Sequence, residues 1–131
     1  MRDCYTIDIE GAIVAALQAD GYDASAPPVT ADLSAGCVVV YRVGGQRQNY
    51  VQDAHQLSID CYADTDQQAC ALANEITGWL GDLEGYEVGG VPVYQARPTS
   101  LPYENQDPMN RQLVRYTFAA QVVTRVTHQK Q

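Results

Sequence analysis

Basic residues are scarce in this chain. Eight lysines and arginines stand against 16 aspartates and glutamates, for a formal charge of −8 at pH 7. Such a chain lacks the basic face that phosphate contacts need, which argues against nucleic-acid binding by bulk electrostatics. Apolar runs are short, and none approaches the roughly 20 residues that a membrane-spanning helix requires. Asp8 and Glu10 interrupt the stretch Ile7–Leu17, so the N-terminus does not read as a signal peptide. The expectation is a soluble intracellular domain without a membrane partner. Histidines are only two, His55 and His128, and the four cysteines (4, 37, 61 and 70) contain no C-x-x-C pair. That set is too small and too scattered for a zinc site, so all four thiols are expected reduced, with no metal and no cofactor. Cys61 sits among inward-facing strand residues and Cys70 borders the apolar face of a helix, which suits inert thiols. No His–Asp arrangement stands near a cysteine to activate it.

Catalytic motifs are missing too. The chain has no P-loop, no G-x-G-x-x-G, no H-E-x-x-H, no G-x-S-x-G, no EF-hand loop and no internal repeat. Asp64 and Asp66 adjoin a helix start and read as caps. Asp53 and Asp60 read as solvated residues on or near an exposed strand face, and the histidines as ordinary surface or strand residues. The chain is expected not to be an enzyme and to bind or build.

What is present is the material of one globular domain spanning 1–131. Hydrophobic residues make up 46% and charged residues 18%. Folding at this size buries about two thirds of the chain's surface, enough for a core without disulfides. Thr6–Ala19 carries Ile9, Ala12, Ile13, Ala16 and Leu17 on one helical face, with Thr6 or Asp3 as cap and Gly21 as stop. Tyr22–Ser34, with Pro27-Pro28, reads as a connecting loop. Gly36–Val43 is rich in Val and Tyr and reads as a buried strand, ended by a turn at Gly44-Gly45. In Tyr50–Ala63, Leu57, Ile59, Cys61 and Ala63 alternate with Gln56, Ser58, Asp60 and Tyr62, the period of a sheet with one packed face. Thr65 and Gln68 form a capping box for a helix to Leu83, whose stripe is Ala69, Leu72, Ala73, Ile76, Leu80 and Leu83 with Trp79 at its edge. Tyr86–Val88 and Val91–Ala96 flank Gly89-Gly90 as a hairpin. The fold class is therefore α+β: two helices packed on a mainly antiparallel sheet with a long C-terminal strand.

Two features remain over. Pro98–Asn110 holds three prolines and no periodicity, and a structureless connection of that length is uncommon unless functional or disordered. Arg111–Thr127 alternates over 17 residues, beyond the usual 3–10 of a strand. Charge is also uneven. Residues 1–90 hold 14 acids and three bases, whereas residues 91–131 hold two acids and five bases. Two complementary patches on one chain suit head-to-tail self-association, which can close into a ring. The loop Pro98–Asn110 and the first half of Arg111–Thr127 are the expected subunit interface, with Tyr103, Asp107, Arg111 and Arg115 as its residues. On a strand Arg111 and Arg115 would share a face and reach a neighbour's carboxylates. The alternative is that both arginines pair within their own subunit.

The run QLSIDCYAD (Gln56–Asp64) leads directly into TDQQACALANEITGWL (Thr65–Leu80). GVPVYQA (Gly90–Ala96) follows, then PYENQDPMNRQLVRYTFAAQVVTR (Pro102–Arg125). This order, with its acidic, proline-bearing loop before a closing strand, resembles the tail-terminator (tail-completion) proteins of long-tailed phages. The resemblance implies a virion structural protein of the tail or neck, made in the host cytoplasm, with no turnover. It implies a ring, a hexamer in that family, which caps the tail tube, ends its polymerisation and provides the head-joining surface. Its partners would be further copies of itself, the tail tube protein and a head–tail connector protein, with DNA passing through the lumen without specific binding. Other connector or tube components have similar lengths and patterns, and an α+β small-ligand-binding domain is a further alternative.

Overall fold

A computed structural model describes residues 4–28 and 33–128, with the backbone alone at 4–5 and 127–128. The first helix, α1, spans Ile9–Ala19. Asp8 caps it: a side-chain oxygen accepts from the Gly11 N–H at 3.1 Å. Thr6 lies outside the helix, and Asp3 lies outside the described residues. Gly21, at φ +93°, lets the Tyr22 N–H return to the Leu17 carbonyl at 3.0 Å, which closes the helix end. The second helix, α2, spans Asp66–Gly81 and is capped by Thr65, which accepts from the Gln68 N–H at 3.2 Å. The Thr65 cap is where the sequence places it. Ala69, Ala73, Ile76 and Leu80 are buried along one face, and full burial of a side chain such as Ile76 or Leu80 contributes about 1.5–3 kcal/mol.

Among the described residues, nine strands accompany the helices: β1 Cys4–Tyr5, β2 Asp23–Ser25, β3 Cys37–Arg47, β4 Gln52–Ala63, β5 Glu87–Val88, β6 Val91–Pro98, β7 Tyr103–Glu104, β8 Val114–Arg125 and β9 Thr127–His128. The main sheet runs β2-β3-β4-β8-β6-β5, and β7 also pairs with β8; β1 and β9 pair separately. All pairings are antiparallel except β2 with β3. This is the expected α+β class, with four corrections to its details. The expected loop Tyr22–Ser34 contains β2. The strand does not turn at Gly44-Gly45 but passes through them, with a register shift between Arg42 and Gly44. A Cβ at Gly45 would press into the Ala54 carbonyl oxygen, so glycine serves close strand approach there rather than a turn. The segment after Pro98 contains β7. The C-terminal strand has 12 residues rather than 17, because residues 111–113 form a turn before it.

Strands β4 and β8 pair over their whole length, from Gln52 opposite Arg125 to Ala63 opposite Val114. Both helices cover one sheet face, where Leu57, Ile59, Cys61, Val38, Val40, Phe118, Ala120 and Val122 join the helix side chains in the main core. A second, smaller cluster of Cys37, Val39, Tyr62 and Leu113 lies apart from it. Its strand residues Cys37, Val39 and Tyr62 alternate with Val38, Val40 and Cys61, which puts them on the opposite face.

Candidate functional site

The segment 99–105 is tied to β8. The Thr99 N–H donates to the Ala119 carbonyl at 2.8 Å, and the Ala119 N–H donates to Ser100 Oγ at 2.9 Å. Tyr103 then pairs with Thr117 and Glu104 with Tyr116, and the Asn105 N–H reaches the Arg115 carbonyl at 2.8 Å. A structureless loop was expected; what exists is an arm hydrogen-bonded to the sheet, because backbone groups lying on a sheet must find partners.

Beyond Asn105 the arm folds over the face of the sheet away from the helices and closes on a polar cluster. Arg115 is its centre. Its Nε donates to the Asn105 carbonyl at 2.6 Å and Nη2 to the Gln106 carbonyl at 3.2 Å. Nη1 lies 3.6 Å from Asp60 Oδ2 and 3.8 Å from Asp107 Oδ2. Asp107 Oδ2 accepts from the Tyr62 hydroxyl at 2.8 Å and from Asn110 Nδ2 at 3.0 Å, and Oδ1 accepts from the Met109 N–H at 2.9 Å. Asp60 Oδ1 accepts from the Thr117 hydroxyl at 2.8 Å. Burial alone would raise the Asp107 carboxyl, but Asn110, the Met109 N–H, Tyr62 and Arg115 outweigh it and hold it below the usual carboxylate range. Burial raises Asp60, and Thr117 and Arg115 offset only part of that.

The four expected interface residues therefore separate. Asp107 and Arg115 come together, buried and half-buried, inside their own chain. Tyr103 is 52% exposed on β7, and Arg111 is exposed in the turn before β8. Arg111 and Arg115 do not share a strand face, since only Arg115 lies on the strand. The pairing of Arg115 is that of the own-subunit alternative. Asp53 and Asp60 are not solvated: Asp53 is 4% exposed and bonded to Arg47 Nε at 2.7 Å, and Asp60 is 5% exposed. His55 lies on a strand but is fully buried, with Nε2 2.9 Å from Thr124 Oγ1 and Nδ1 unpartnered. Desolvation, with a smaller push from Arg42, lowers its pKa to about 4. Asp66, in the first turn of α2, accepts from the Tyr116 hydroxyl at 3.0 Å.

Cys37 and Cys61 are buried free thiols and Cys70 a half-buried one; the Cys4 side chain lies outside the described residues. Burial pushes the Cys37 thiol up to about 11 and raises that of Cys61 further, so neither supplies thiolate near neutrality. Among the described residues, no group of three or more His, Cys, Asp or Glu is placed to hold a metal ion, and no helix is long and apolar enough to cross a membrane. An open cleft of about 360 Å³ lies at the β3–β4 end, lined by Thr6, Arg42, Gly45, Gln46, Arg47, Asp53 and Ala54.

Sequence reasoning missed the roles of Tyr62, Asn110 and Thr117 in the cluster. Alternation assigned Tyr62 to the outer face, and nothing in the sequence announces that the arm returns to cover it. It also missed the exposed apolar side chains of the β3–β4 hairpin, Val43, Tyr50 and Val51; their one signal was three apolar residues near two glycines.

No protein-family model matches the chain, and no curated protein matches it. Among solved structures, it is similar to a chain of a structure described as the virion of a native gene transfer agent particle. Identity is 13% and the TM-score 0.54, over 87% of this chain and 85% of that one. The two chains share a fold across nearly their whole lengths.

Proposed function

We propose that this chain is a structural protein of a phage-like virion, and within it a tail terminator. It forms a ring on the end of the tail tube, stops its polymerisation and offers the surface to which the head joins, without enzymatic turnover and without a cofactor. The observation that carries this reading is the shared fold with a chain of a gene transfer agent virion, over 85% of that chain. The uneven charge, with 14 acids and three bases in residues 1–90, supports a contact between unlike patches. The same acidity suits a ring that passes DNA without gripping it.

The test is to add the purified chain to polymerising tail tube protein and to image the tubes. Shortened tubes with a ring at one end are expected. In particles lacking the chain, overlong tails without heads should accumulate. Incorporation along the tube, or tubes of unchanged length, would overturn the terminator role; incorporation would indicate a tube component.

A further inference from the structure

We infer that, in the ring proposed above, the β3–β4 hairpin of one copy seats against the β7 arm of the next copy. Tyr50 and Val51 then meet Leu101, Tyr103 and Met109, and Arg42 faces Glu104. The inference rests on the ring reading and names the two surfaces that close it.

The topology separates the two surfaces. In the sheet order, β3 and β7 lie on opposite sides of the β4–β8 pair. The register puts the hairpin tip at the end where Gln52 meets Arg125, and β7 towards the end where Ala63 meets Val114. The hairpin and arm of one copy therefore lie at diagonal corners of the sheet and cannot satisfy one another. Two distinct patches, each needing a partner, make a heterologous contact that propagates head to tail.

Both corners carry what a partner would cover. Tyr50 is 89% exposed and Val51 54%; Leu101 is 84% exposed, Met109 75% and Tyr103 52%. Apolar side chains gathered on exposed segments mark interaction sites more often than single ones do. The arm corner also leaves a strand edge open. Among the described residues no strand lies outside β7; on β3, β2 pairs with Cys37–Val39 and the Glu10 carboxylate accepts from the Arg42 N–H at 2.6 Å. Groups on other edges have partners. Gln18 Nε2 donates to the Ala24 carbonyl on β2. On β6, Val93 exchanges hydrogen bonds with Gly85 and Tyr86, and Glu84 accepts from the Ala96 N–H. Open edges are where another chain pairs. Charge agrees with this match. Arg42 and Glu104 are both exposed, and neither forms an ion pair among the described residues.

Arg42→Glu, Glu104→Arg, the double variant and an equal mixture of the two single variants test this. Association is read by sedimentation over a range of concentrations and by capping of tail tubes, with melting as a control for folding. Each single variant should weaken the contact about tenfold or more, because like charges then face each other. The double variant should restore it, and the mixture should restore it through alternating copies if the ring is even-numbered. A benzophenone side chain at position 50 should crosslink to the peptide 98–111 of another copy. Rings that tolerate every charge variant, or crosslinks from position 50 to a different surface or protein, would overturn the inference and leave the ring standing. A chain that forms no ring in solution or on tubes would overturn both.

Discussion

At the scale of single residues, the buried polar groups govern how the fold responds to solution conditions. His55 has no exposed surface, and its pKa is lowered to about 4. Its stability contribution is fully present above the unfolded-state pKa of about 6.5 and is lost as pH falls towards the folded value. The loss should approach about 3 kcal/mol between those limits. Urea unfolding at stepped pH measures it, and His55→Gln should flatten that part of the profile. Asp107 acts at lower pH. Because its carboxyl is held below the ordinary range, its contribution is present above about pH 3.9 and fades as pH drops through the folded value. Arg115 matters to both carboxylates of its cluster. Arg115→Leu removes the counter-charge of Asp60 and Asp107 and the donors to two carbonyls. It should cost about 2–4 kcal/mol by denaturant unfolding, near the range for breaking a buried ion pair.

At the scale of elements, α2 and the β3–β4 hairpin depend on local devices that can be removed singly. Thr65→Ala deletes the acceptor for the Gln68 N–H and should destabilise the chain by about 1 kcal/mol, read from the shift in urea midpoint. Gly45→Ala should be more damaging, since its Cβ would meet the Ala54 carbonyl oxygen across the β3–β4 ladder. Loss of amide-exchange protection should concentrate in Gly44–Arg47 and Asp53–Gln56, the residues paired across that approach, and leave α2 protected. The arm at 99–113 behaves as part of the sheet, because nearly every turn of it is bonded to β8 or to the Arg115 cluster. Its proline content shapes a path along the sheet rather than a free loop.

At the scale of the whole molecule, the two arginines that the sequence suggested for a subunit contact have different fates. Arg111 is exposed, and Arg111→Glu should leave the stability measured by urea unfolding within the small range of surface substitutions, about ±0.5 kcal/mol. A loss of ring formation with folding intact would place Arg111 in the contact. Adding Arg115→Glu would not sharpen that test. It sets a third carboxylate against Asp60 and Asp107 and should destabilise the monomer itself, visible in circular dichroism and melting. An interface substitution is informative only where the side chain is not already spent inside its own subunit.

Local pattern alone determined the elements whose signals are short-range. The apolar stripe and the Thr65 cap specify α2, alternation specifies β4 and β8, and Gly89-Gly90 specifies the β5–β6 hairpin. Each needs only neighbours within a few residues, so it can be read without the fold. Only the tertiary structure decided what happens on the second face of the sheet. Period-two alternation shows that Asp60 and Tyr62 point away from Leu57, Ile59 and Cys61, but not what lies there. The arm arrives from some 45 residues further along the chain, and its arrival converts two outward positions into buried, bonded ones. The β3–β4 pairing turned Gly44-Gly45 from an expected turn into strand, and the arm drew Arg115 inward. Alternation reports a side chain's direction, and burial depends on what the rest of the chain brings to meet it.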